Sequence, residues 1–165
     1  MIDCSSVALV IEQDETPRLA IIMRGLPGSG KSYWVSHFID SKAQRSGQRG
    51  TTAAVGVFST DQYFFKNGTY QFNAKLLSKY HQMNLTAFIK AMADNVPFVI
   101  CDNTNVALWE YQAYQAAALA LGYEVHIQQI GVPSDVEQQR LCAKRNSHGV
   151  PLNSIKRMAL LFEAH

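Results

Sequence analysis

Gly25-Leu26-Pro27-Gly28-Ser29-Gly30-Lys31-Ser32 fits the phosphate-binding loop pattern G-x-x-x-x-G-K-[ST] at every fixed position. The pattern has meaning only between a strand and a helix, and both flanks comply. Leu19-Ala20-Ile21-Ile22-Met23 is short, apolar and rich in branched residues, as a strand buried on both faces must be. Ser32 to Ser41 sets Val35, Phe38 and Ile39 at helical spacing. Glycines let the backbone curl until successive N–H groups point inward at phosphate oxygens. The helix N-terminus adds the positive end of its dipole. Lys31 then reaches the β- and γ-phosphates of ATP, and the Ser32 hydroxyl is placed to hold Mg²⁺. Gly25, Pro27, Gly28, Ser29, Gly30, Lys31 and Ser32 are therefore the candidate nucleotide-binding residues, Ser32 also the candidate metal ligand.

Outward from the loop, strand and helix patterns alternate. Thr52 to Ser59 reads as a second strand, rich in Val and Thr, after a flexible basic loop at Ser46–Gly50. Strand ends carry the ligand site in an open parallel sheet, so Asp61, just past this strand, belongs near the mouth of the loop. Lys66-Asn67-Gly68-Thr69 is a tight turn amid Tyr63, Phe64, Phe65, Tyr70 and Phe72, an aromatic flap that packs on its own helix or offers a stacking platform. Asn73 caps a helix reaching about Asp94. Pro97 to Cys101 is the third strand of the main sheet, and it ends in Asp102-Asn103-Thr104-Asn105 at the ligand edge. Asp102, as a strand-end carboxylate, is the second candidate for the metal. Asn105 is expected to cap a helix that stops at Gly122. Tyr123 to Ile130 is a further strand, and Ser134-Asp135-Val136-Glu137 is a capping box opening another helix. That helix carries Arg140, Lys144 and Arg145 toward its end, as lid charges or as compensation of the helix dipole. Pro151 opens a last helix to about Ala164. Residues 7–11 form a possible extra strand within an N-terminal extension, 1–17. The alternation gives an α/β domain with a mostly parallel central sheet.

At 165 residues the chain is expected to be one domain with a full core. A formal net charge of +2 is too small to imply a nucleic-acid partner by itself. Three widely spaced cysteines, Cys4, Cys101 and Cys142, suggest neither a disulfide framework nor a zinc site and suit a reducing, cytoplasmic setting. No signal-peptide pattern and no run of membrane-spanning length is evident, so no membrane association is expected. Oligomeric state has no signature in the sequence.

Four motifs together, GLPGSGKS, Ser59-Thr60-Asp61-Gln62-Tyr63-Phe64, Asp102-Asn103-Thr104-Asn105 and Lys144-Arg145-Asn146-Ser147-His148-Gly149-Val150-Pro151, give the chain a familiar outline. From Leu19 onward it resembles the small P-loop kinases grouped with phage-type polynucleotide 5′-hydroxyl kinases and the related AAA-type ATP-binding domain proteins. The resemblance implies a P-loop NTPase, nucleotide-kinase-like three-layer sandwich. It implies that Asp61 is the general base on an acceptor hydroxyl. It implies that Lys144-Arg145-Asn146 belongs to a lid closing over ATP, at about 140–150, with Arg145 stabilising the transferred phosphoryl group; Arg140 is a further candidate to close from that lid. Either Asp102 or Asn103 is the working member of the strand-end cluster. In the polynucleotide kinases the second motif runs Asp-x-x-Arg, the arginine contacting an acceptor phosphate; here that position is Phe64.

The expected activity is thus transfer of the ATP γ-phosphate to a hydroxyl, with a 5′-hydroxyl of a nucleic acid or nucleotide as the favoured acceptor. Two alternatives stand beside it: a kinase of a non-nucleotide small molecule, which Phe64 favours, and a nucleotide-binding interaction module with little transfer activity.

Overall fold

The structure, a computed structural model, describes residues 18–47 and 54–165. The N-terminal extension with its expected strand at 7–11 lies outside the described residues, as do residues 48–50 of the basic loop. Four strands, β1 (Leu19–Arg24), β2 (Val55–Phe58), β5 (Phe98–Cys101) and β6 (Glu124–Gln129), form a wholly parallel sheet in the order β2-β5-β1-β6. Two further strands, β3 (Phe65–Lys66) and β4 (Thr69–Tyr70), make a separate antiparallel hairpin. Its turn residues Asn67 and Gly68 have φ of 50° and 77°, the left-handed pair that a two-residue hairpin turn demands.

The side-chain period of two in β1 divides the core into layers. Ala20 and Ile22 face helices α2 (Leu77–Ala93) and α3 (Leu108–Ala120), where Phe88, Met92, Tyr111 and Tyr114 close over them. Ile21 and Met23 face helix α1 (Lys31–Gly47), meeting Val35 with Trp34 and Phe38 beside it. This is the expected three-layer sandwich. Each fully buried Ile contributes about 1.5–3 kcal/mol, which is why the run preceding the loop is continuous rather than alternating. Helices α4 (Val136–Arg145) and α5 (Leu152–Leu160) pack against each other and enclose a smaller cluster of Leu26, Cys142 and Ile155 directly beneath the loop.

Several local expectations change. The side chain that caps α4 is Asp135, which accepts from the N–H groups of Glu137 (2.9 Å) and Gln138 (3.4 Å), so the cap falls one residue after Ser134. Asn105 does not cap α3. It sits at φ 46° and donates its amide to the Met23 carbonyl at 2.8 Å, tying the β5 end to β1. The N-terminus of α3 is served instead by Glu163, which accepts from the Leu108 N–H at 2.6 Å, while Glu110 accepts from the Val106 N–H at 2.9 Å. The last helix ends at Leu160, not near Ala164, because the following residues turn back onto the segment before α3 through the Glu163 N–H and the Val106 carbonyl.

That turn-back is held by Arg24, the last residue of β1 and fully buried. Its guanidinium donates to the carbonyls of Asn105 (2.9 Å), Val106 (2.9 Å) and Glu163 (2.7 Å). It also lies over the rings of Tyr111 and Phe162, 4.9 and 4.5 Å from their centroids. A buried cation is tolerated only with its donors satisfied, and three carbonyls with two π-faces do that here.

Candidate active site

The C-terminal edge of a parallel sheet is open to ligands, and here β1, β5 and β2 end in the glycine-rich loop, Asp102 and Asp61 respectively. Together they line one cleft of about 1970 Å³, ample for two substrates. Tyr70, Arg145 and His148 join the lining from other elements.

Lys31, at the start of α1, folds its ammonium back to donate to the carbonyls of Gly25 (2.9 Å) and Leu26 (3.1 Å). Desolvation by burial lowers its pKa, and the carboxylates of Asp102 and Asp61 oppose that shift. The lysine therefore shares its field with both acids. Ser32 donates its hydroxyl to Asp102 Oδ2 at 3.0 Å. Burial raises the Asp102 pKa, with Lys31 and the Ser32 hydrogen bond opposing. A hydroxyl and a carboxylate brought together this way are a hard-oxygen pair suited to Mg²⁺. Among the described residues no group of three or more His, Cys, Asp and Glu offers a different metal cage. Ser29 Oγ, within the loop, is buried with no hydrogen-bond partner among the described residues, as suits a cradle built for phosphate oxygens. Ser32, Asp102, Lys31 and the loop thus fit Mg-ATP.

The neighbour of Asp102 also lines the cleft but takes a different partner. Asn103 accepts from the Thr60 N–H at 2.9 Å and is largely buried, holding the start of the short 3₁₀ turn Thr60–Phe64 that carries Asp61. Thr60 Oγ1 in turn meets His81 Nδ1 at 3.1 Å. Asp61 lies in the cleft between two partners. Tyr70 Oη donates to its Oδ1 at 3.1 Å, and His148 Nε2 stands 3.6 Å from its Oδ2.

The loop also fits the end of α4. Gly28 has φ 78°, and a Cβ there would lie 2.8 Å from the Asn146 backbone nitrogen and closer still to the Cys142 carbonyl oxygen. The expected lid region is thus seated directly on the loop. Asn146 then pins its own turn. Its amide donates to the carbonyls of Cys142, Ala143 and Val150, and its Oδ1 accepts from the Val150 N–H at 2.7 Å. Arg145 is exposed and reaches the cleft. Arg140 does not line it; this side chain pairs with Glu137 one turn back on the exposed face of α4.

Phe64 is 1% exposed, with ring centroids 4.8 Å from Tyr80, 5.1 Å from Phe72 and 6.0 Å from Tyr70. Tyr63 stacks on Tyr80 at 5.5 Å. The inner part of the aromatic flap therefore packs on α2, while Phe65 and Phe72 remain half-exposed at the cleft. Sequence reasoning missed Tyr70 as a partner of Asp61, and it missed Asn146 and Arg24 as organisers. Only Arg24 left a signal: by the period of two it continues the face of Ala20 and Ile22.

Comparison with known proteins adds the following. A family model described as an AAA domain matches residues 21–165. The human (Homo sapiens) NEDD4-binding protein 2 is 35% identical over 138 residues, covering 84% of this chain and 7% of that protein. The YLP motif-containing protein 1 of Rattus norvegicus is 29% identical over 166 residues, covering 89% of this chain and 11% of that protein. The chain thus spans about a tenth or less of the length of these curated relatives. Among solved structures, a chain of the Pnkp1/Rnl/Hen1 RNA repair complex superposes with TM-score 0.65 at 20% identity, covering 88% of this chain and 44% of that one. A Mycobacterium tuberculosis APS kinase, CysC, gives TM-score 0.51 at 15% identity, covering 90% and 99%. The shared feature is a P-loop kinase-like fold.

Proposed function

The chain belongs to the AAA domain family whose model spans it from residue 21 to residue 165, and from that premise we propose that it is an ATP-dependent phosphotransferase acting on a hydroxyl, with the 5′-hydroxyl of a nucleic acid or nucleotide as the favoured acceptor. One observation carries the reading: Lys31, the Ser32–Asp102 pair and Asp61 converge in one cleft, and Lys31 lies in the field of both acids. Likeness in fold to a chain of an RNA repair complex supports the choice of acceptor.

Bound Mg-ATP supplies the phosphoryl group and a divalent charge upon it. Phosphoryl transfer has a loose transition state with charge spread over the γ-oxygens, so positioning and positive charge matter most. The loop N–H groups and Lys31 would hold the phosphates, Ser32 and Asp102 would hold the metal, and Arg145 would add charge from the cleft wall. Asp61 accepts the proton of the acceptor hydroxyl as its oxygen bonds to the γ-phosphorus and the bond from that phosphorus to the β–γ bridging oxygen breaks, with ADP as the leaving group. The whole-chain unit 1–165 and the lid role of 140–150 belong to the same proposal.

A second reading, a kinase of a non-nucleotide small molecule, is favoured by Phe64. The side chain where the related kinases carry arginine is buried inside the flap, and Lys31 and Arg145 are the Lys and Arg side chains among the described residues lining the cleft. The test is transfer from γ-labelled ATP to 5′-hydroxyl oligonucleotides, nucleosides and sugars, with Lys31→Ala as control. Labelled oligonucleotide that disappears with Lys31→Ala supports the first reading. Labelled sugar or nucleoside alone moves the assignment to the second, and no transfer to any acceptor overturns both.

A further inference from the structure

Asp61 receives side chains from two other elements, one nearby in sequence and one remote. Tyr70 comes from β4 and donates to Oδ1 at 3.1 Å. His148 comes from the turn after α4, its Nε2 3.6 Å from Oδ2. The two partners also pack on each other, with ring centroids 4.2 Å apart and a 35° tilt. Phe65 backs both, 5.4 Å from the Tyr70 ring and 6.4 Å from His148. Three separate segments therefore meet around one carboxylate.

The two contacts differ in kind. The phenol makes a hydrogen bond, and burial followed by the nearness of Asp61 pushes its pKa up to about 12, so it stays a donor across the working range. The imidazole stands beyond hydrogen-bond distance. Its Nδ1 is buried with no hydrogen-bond partner among the described residues. A buried N–H left without an acceptor costs about 1–3 kcal/mol, so the neutral ring keeps its hydrogen on Nε2, facing Oδ2. A hydroxyl oxygen lodged between them would accept from Nε2–H while donating to Oδ2. An alcohol can do both at once.

We propose that Tyr70 and His148 orient the reaction at Asp61: Tyr70 occupies Oδ1 so that Oδ2 takes the acceptor proton, and His148 Nε2–H receives the oxygen of the same acceptor hydroxyl. Tyr70 is a positioning residue, acting through Asp61, and His148 selects a hydroxyl in the right place. This inference rests on the kinase reading above and assigns the acceptor side of that site. It also explains how the turn pinned by Asn146 serves the acceptor as well as ATP.

The experiment compares wild type with Tyr70→Phe, His148→Ala and His148→Gln, using a 5′-hydroxyl oligonucleotide, a nucleoside and a sugar as acceptors. Tyr70→Phe keeps the ring packed and removes only the hydroxyl, so kcat should fall roughly 10-fold with the KM for ATP unchanged. His148→Ala should raise the acceptor KM and lower kcat, each roughly 10-fold, again without change for ATP. His148→Gln restores an N–H donor at similar reach and should recover most of the loss. Nitrogen NMR of wild type should show His148 as the Nε2–H tautomer. Wild type active with all three variants unchanged overturns this inference alone, as does an Nδ1–H tautomer or equal effects on ATP and acceptor. Wild type inert toward every acceptor removes the kinase reading and this inference with it.

Discussion

Replacing Gly28 by alanine should damage catalysis through a contact that involves no ligand. Gly28 and Gly68 have nearly the same backbone, φ 78° and 77°, so an alanine at either pays the same left-handed penalty of about 1–2 kcal/mol. For a chain of this length each kcal/mol lowers Tm by about 2–4 °C. They differ in surroundings. Among the described residues, chain neighbours aside, nothing lies within 4 Å of a Cβ at Gly68, whereas at Gly28 the new methyl meets the Asn146 nitrogen at 2.8 Å and the Cys142 carbonyl at shorter range. Ordinary contact begins at 3.4 Å, so the end of α4 must retreat by roughly half an ångström or more. Arg145 and His148 ride on that end. A misplacement of about 1 Å costs on the order of 100-fold in rate, which puts the expected loss for Gly28→Ala between roughly 10- and 100-fold. The assay pairs calorimetric Tm with γ-phosphate transfer for both variants. Gly68→Ala should lose a few degrees and keep its turnover, and Gly28→Ala should lose both. Equal Tm shifts with unchanged turnover in both would refute the seating of α4 on the loop.

Asp61→Asn keeps the size and the Tyr70 contact but removes the base; transfer should fall about 100-fold or more while Mg-ATP still binds, read by labelled transfer and by calorimetric titration. Arg145→Ala should lower kcat far more than it weakens ATP binding, because its charge is used at the transition state; small, equal effects would reduce it to a helix-end charge. The lowered Lys31 pKa makes a signed prediction. The unfolded chain holds this proton to higher pH than the folded one, so folding is penalised at neutral pH and the penalty is relieved as pH rises toward the ordinary lysine range. Wild type without nucleotide should therefore gain in Tm relative to Lys31→Met between about pH 7 and 10, and a pH-independent difference would show that burial does not perturb this lysine.

The parallel strands and the glycine-rich loop were legible because their signals are local. An apolar run, a fixed glycine spacing and a helical period each lie within a dozen residues. The mostly parallel α/β order followed from their alternation, and the three-layer sandwich from the resemblance. The strand-end cluster was not resolvable, because Asp102 and Asn103 lie just past β5, where the ladder no longer dictates which partner each takes. Asp102 turned to Ser32 and Asn103 to Thr60. Asn105 misled for a related reason: asparagine suits both a helix cap and a left-handed turn, and only the Met23 carbonyl decides between them. His148 lies 87 positions from Asp61 and Glu163 lies 139 positions from Arg24, distances over which composition and periodicity carry no information.

The buried arginine has a consequence for communication across the molecule. Arg24 and Gly25 are consecutive, so the residue that clamps Glu163 is bonded to the one that opens the phosphate loop. The Gly25 N–H is itself bound to the Thr104 carbonyl, next to the Asn105 and Val106 carbonyls that Arg24 holds. Filling the loop and docking residues 163–165 are then two equilibria that share a joint, and linkage makes them reciprocal. Any free energy by which a filled loop steadies that segment is returned when the segment docks. Nucleotide should then slow amide exchange at Glu163, which is not among the residues lining the cleft, and whatever tugs on that segment should loosen the grip on nucleotide.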